Sequence, residues 1–197
     1  MSNTPNQPSC VICGGRVDPG QAMQQGGYPQ LCRVCIPAVS GASSYTPGAT
    51  AIHLGTEPAI ALLLSAATGA RTPRNIEVDV YQENGATRRV PKVSSFLGEY
   101  FFSIPARCSI VPGEVLNNPY QVCFQVVHPG GFTPLPNLAV HHLTGGTSRY
   151  PWRGDILILK FNGRREERYI STGGWESDIG NIQYFFVNET IRSQEGN

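Results

Sequence analysis

Two Cys-x-x-Cys pairs, Cys10/Cys13 and Cys32/Cys35, constrain the amino-terminal part of this chain more than any other feature. The 18 residues between them, Gly14 to Leu31, fall inside the Cys-x₂-Cys-x₁₅₋₂₀-Cys-x₂-Cys spacing of a zinc site. Structural zinc takes four ligands at tetrahedral corners, and one tight Cys-x-x-Cys turn supplies two thiolates. Two such turns therefore close one site. Gly14-Gly15 lets the backbone double back through positive φ just after Cys13. Asp18-Pro19-Gly20 and Gly26-Gly27 bracket a Gln-rich segment, which predicts a short hairpin leading through Tyr28-Pro29-Gln30-Leu31 to the second pair. Two other uses of the cysteines stay open: a pair of disulfides in a secreted protein, or redox dithiols. Against the first, Met1 to Pro8 has neither the basic start nor the apolar core of a signal peptide. Against the second, a redox Cys-x-x-Cys sits at a strand-to-helix junction of a βαβ pattern, which is missing here. The expectation is one structural Zn2+ held by Cys10, Cys13, Cys32 and Cys35.

By its knuckles, Cys10-Val11-Ile12-Cys13-Gly14 and Leu31-Cys32-Arg33-Val34-Cys35, the segment resembles the four-cysteine zinc fingers of the zinc-ribbon and treble-clef groups over about residues 8 to 40. The resemblance implies a structural zinc, with roles that range from nucleic-acid binding to protein docking. Treble clefs start a helix at the second knuckle. Here Ile36-Pro37 and Ser40-Gly41-Ala42-Ser43-Ser44 follow, so the ribbon form is expected. A RING finger would need four more ligands, and the next candidates are His53 and Cys108.

Composition bounds the remainder. The net charge is +1 with 15% charged residues, so no global field draws the chain onto nucleic acid. With 22 Gly and 16 Pro, the chain is expected to make many turns between short strands. The longest apolar run, Ala59 to Ala70, is broken by Ser65 and Thr68 and falls short of the ~20 residues of a membrane-spanning helix. An intracellular protein without a membrane segment is expected.

The predicted fold class is α+β: a small four-cysteine zinc module followed by a β-rich domain of mostly antiparallel hairpins with one or two packed helices. Residues 1–9 read as a disordered tail, 10–36 as the zinc module, 37–50 as a linker, 51–192 as the β-rich domain and 193–197 as a frayed tail. Within the domain, Thr56-Glu57-Pro58 followed by Ala59 to Thr68 predicts a buried helix ended by Gly69. Ile76, Val78 and Val80 alternate with polar residues, and Glu83-Asn84-Gly85 turns the chain into Thr87 to Val93, a hairpin whose Pro91 marks an edge. Phe96 to Ile104 fits a core strand or a short helix. Tyr120 to Val126 fits a half-buried strand, and Asp155 to Phe161 a strand apolar on both faces and central in a sheet. Asn162-Gly163 turns back into Glu167 to Ser171, and Ser177 to Phe186 keeps helical spacing.

Candidate chemistry in the domain is sparse. His128, His141 and His142 lie near Cys123 and Asp155 in sequence, but neighbours on an extended strand face opposite ways, so at most one of His141 and His142 could join such a site. Phosphate-loop, zinc-protease, deaminase and serine-hydrolase motifs are all missing. Cys108 and Cys123 are expected as small buried hydrophobes. Three basic groups stand out: Arg88-Arg89 with Lys92, Arg149 with Arg153 beside Tyr150 and Trp152, and Arg164-Arg165 with Arg168. The second could stack and grip single-stranded nucleic acid, against the alternative that its aromatics pack underneath. The expected function is a zinc-binding, non-enzymatic adaptor with a protein partner. A nucleic-acid-binding ribbon is the alternative, and an enzyme with a site around His128, His141 and Asp155 the second alternative.

Overall fold

The computed structural model describes residues 47–98, 101–111, 114–125, 134–148, 152–164, 168–171 and 175–188. Cys10, Cys13, Cys32, Cys35 and both chain tails lie outside them. The chain runs β1 (Ile52–Leu64), β2 (Arg71–Glu83), β3 (Ala86–Pro91), α1 (Ser94–Leu97), β4 (Phe101–Cys108), β5 (Val115–Gln125), α2 (Leu138–Thr144), β6 (Ile156–Phe161), β7 (Tyr169–Ile170) and α3 (Trp175–Asn188). It is an α+β arrangement, one curled antiparallel sheet with a few helices.

The spatial order of the strands is β3-β2-β1-β6-β5-β4. β6 has Ile156, Leu157, Ile158 and Leu159 all buried, as a strand covered on both faces requires. One flank pairs with β5, Phe124 opposite Ile156 through Tyr120 opposite Lys160. The other flank is shared. Leu62–Leu64 of β1 pair with Ile156–Ile158, and β7 then takes over opposite Lys160 and Phe161. β1 thus parts from β6 while staying paired with β2 along its length.

The β2–β3 hairpin forms where alternation and turn chemistry coincide. Asn84 at φ 50° and Gly85 at φ 78° are both left-handed, as a two-residue primed turn demands. Pro91 lies on the edge strand, where a missing N–H breaks no ladder. Phe96 belongs to the one-turn helix α1, closed at Gly98, and Phe101 to Ile104 to β4, so both candidate structures of that stretch are present in succession.

Two expectations fail. The helix predicted from Thr56 to Thr68 is the strand β1. Ala and Leu favour helices by tenths of a kcal/mol per residue, but the run from Ala59 to Leu64 buries both of its faces. Pairing with β2 and β6 therefore outweighs local propensity. Among the described residues β6 reaches only Leu62–Leu64, which leaves Pro58 at a sheet margin. The extended placement of His141 and His142 fails too, because both lie on α2. Asn137 caps that helix, its Oδ1 accepting from the Val140 N–H at 2.8 Å, and Gly145 ends it at φ 58°.

The sheet has a core on each side. On one, Leu62, Leu64, Val122, Phe124, Ile156 and Ile158 meet α2 and α3 through Val140, Leu143, Ile182, Phe185 and Phe186. Trp152 sits in the middle, edge-on to Phe124 at 5.3 Å and to Phe186 at 4.9 Å. On the other side, Ala59, Ala61, Ile76, Val78, Cys123, Leu157 and Leu159 close around Val93 and Leu97 of the α1 segment.

Candidate functional site

The predicted zinc ligands Cys10, Cys13, Cys32 and Cys35 lie outside the described residues. Among the described residues no three His, Cys, Asp or Glu side chains group to hold a metal ion. His128 lies outside as well. His141 and His142 are exposed on α2, their ring centroids 6.2 Å apart. A Cβ on Gly69 would meet the His142 ring at 2.8 Å, and one on Gly146 would meet the His141 ring at 3.0 Å. Each imidazole therefore covers a glycine of a different turn.

Asp155 is held by backbone bonds. Its Oδ1 accepts from the Ala66 N–H at 2.8 Å, fixing the β1–β2 turn, and its own N–H donates to Gln125 Oε1 at 3.1 Å. Cys123 is fully buried as a free thiol, and desolvation pushes its pKa far up, so it behaves as a small hydrophobe. The side chain of Cys108 lies outside the described residues.

The first basic group is matched by carboxylates. Arg88 pairs with Glu83 at 3.1 Å, Arg89 forks onto both oxygens of Glu57, and Lys92 reaches Glu77 and Asp79. The Arg89 hydrogen bond holds the Glu57 carboxyl below its ordinary range, and the Glu77 bond raises Lys92. Trp152 packs under the surface, and exposed Arg153 donates to the Pro134 carbonyl at 3.1 Å. Arg164 donates to Asn117 Oδ1 at 3.1 Å. Arg149, Tyr150 and Arg165 lie outside the described residues.

The structure brings together one charged group that the sequence reading missed. Asp178 of α3 accepts from Lys160 Nζ of β6 and from the Tyr120 hydroxyl of β5, both onto Oδ1 at 2.7 Å. Asp178 Oδ2 is buried with no hydrogen-bond partner. Burial, and then the bond to Asp178, pushes the Tyr120 pKa well up, so the phenol stays protonated and acts as a donor. The signal was in the sequence: Asp178 falls on the same helical stripe as Ile182 and Phe186, and Lys160 interrupts an apolar strand. A carboxylate on a buried stripe needs a cation, and the lysine is the cation within reach. The cluster fastens α3 to the sheet.

Compared with known proteins, the chain matches no protein-family model, no curated protein and no solved structure.

Proposed function

We propose that this is an intracellular, non-enzymatic binding protein whose amino-terminal module carries one structural Zn2+ on Cys10, Cys13, Cys32 and Cys35 and presents a surface to a protein partner. The observation that carries it is the doubled Cys-x-x-Cys at ribbon spacing. The body gives it a stable mount, since Asp155 and the Asp178–Lys160–Tyr120 cluster join elements of the fold to one another. Protein is favoured over nucleic acid as partner because Arg88, Arg89 and Lys92 already face carboxylates. Phosphate contacts there would have to displace those pairs.

Metal analysis of full-length protein purified without chelator should give one zinc per chain. Cys32→Ser should remove it and lower the stability of the module by several kcal/mol, because metal binding and folding are coupled in structural sites. Protein without stoichiometric zinc refutes the proposal. Nucleic-acid binding that weakens steeply between low and high salt would favour the ribbon alternative instead.

A further inference from the structure

The first strand opens on two exposed aliphatic side chains, Ile52 at 64% and Leu54 at 58%. Ile52 is the first residue of the strand, and Leu54 falls in a bulge. Ile52 and His53 stand opposite Gln82 and Tyr81, yet Gly55 stands opposite Val80, so Leu54 is the extra residue with no cross-strand partner. Gly55 at φ 130° accommodates the irregularity. A bulge re-aims the side chain it carries, and here it aims a leucine outward.

The chain enters this end of the sheet at a fixed point. The Gly48 N–H donates to Glu83 Oε1 at 3.2 Å beside the β2–β3 turn, and the Ala51 N–H donates to the Gly48 carbonyl at 2.9 Å. Only residues 36–46 separate Cys35 from the described start of the body. That length of chain reaches at most about 36–40 Å. Held so close, a module meets a neighbouring patch at an effective concentration on the order of millimolar, so even weak apolar contact suffices. The module brings matching chemistry: Val11, Ile12, Leu31, Val34 and Ile36 lie within or beside its knuckles. A unit of its size encloses little apolar area by itself.

We propose that Ile52 and Leu54 form the seat on which the amino-terminal cysteine module, residues 10–36, docks. This docking rests on the zinc-bound module proposed for the function, and a metal measurement separates the two. The test is nuclear relaxation of the isotope-labelled full-length chain, wild type and Ile52→Ser/Leu54→Ser, with zinc content measured on the same samples. In the wild type, residues 10–36 should tumble with the body. In the double variant that shared tumbling should be lost, with one zinc still bound and the signals of Leu62–Leu64 and Ile156–Phe161 unmoved. Zinc-loaded wild type whose module tumbles independently, or a double variant whose module stays with the body, overturns the docking alone. Protein without zinc overturns the module and the docking together.

Discussion

Replacing Asp178 with alanine should destabilise the body by about 3 kcal/mol, at the lower end of the ~3–5 kcal/mol seen when one partner of a buried ion pair is removed. The low end applies because the Lys160 side chain is 17% exposed and keeps some water once its partner is gone. Tyr120 loses the 2.7 Å acceptor of its hydroxyl proton and so shares in the loss. For a domain of this size the loss corresponds to a fall in Tm of about 6–12 °C. Urea titration followed by intrinsic tryptophan fluorescence, to which Trp152 buried against Phe124, Phe185 and Phe186 contributes, reads it. The companion double variant, Lys160→Met with Asp178→Leu, should return to within about 1 kcal/mol of wild type. Removing both charges also removes the burial of Asp178 Oδ2, which the native pair leaves without a partner. A single variant within about 0.5 kcal/mol of wild type, or a double variant as damaged as the sum of the singles, would refute this account of the cluster.

Asn137→Ala should cost about 2–4 kcal/mol in the same urea titration, since it removes the cap on Val140 and the Nδ2 donor shared by the buried Leu64 and Gly154 carbonyls. For Glu57, whose folded pKa lies below its ordinary 4.5, the stabilising pair with Arg89 is complete above pH 4.5 and is lost as pH falls through the lowered value. A carboxyl titration by nuclear resonance should show that depression in the wild type and its disappearance in Arg89→Gln; an unchanged Glu57 titration would count against the pair. His141→Ala should stay within about 0.5 kcal/mol of wild type, because the ring is exposed, and a larger loss would show that its cover over Gly146 matters to the turn.

What could be read from the sequence was what local chemistry decides. Asn84-Gly85 between alternating runs gave the β2–β3 hairpin, and the two-sided apolar run at Ile156–Leu159 marked the central strand. The spacing of Ile179, Ile182 and Phe186 gave α3. β1 was misread because a short Ala- and Leu-rich run has the same composition whether it is a buried helix or a two-sided strand, and only its partners decide. α2 was missed because seven residues make two turns, too few for a period to emerge. The Lys160–Asp178 pair was not read from the sequence, because its meeting across 18 positions depends on how α3 lies on the sheet. The four amino-terminal cysteines lie outside the described residues, so their grouping rests on spacing.

The junction at Leu62–Leu64 bears on how the molecule assembles. β1–β2, β2–β3 and β4–β5 each join neighbours in sequence and can close early, at small entropic loss. The three pairs between Leu62–Leu64 and Ile156–Ile158 instead bring together segments that most of the domain separates, so the two groups of strands meet late in folding. Asn137 to Leu64 and Asp155 to Ala66 clasp that same waist. When the native state opens short of complete unfolding, the β1–β2–β3 flap should swing free there as one cooperative piece.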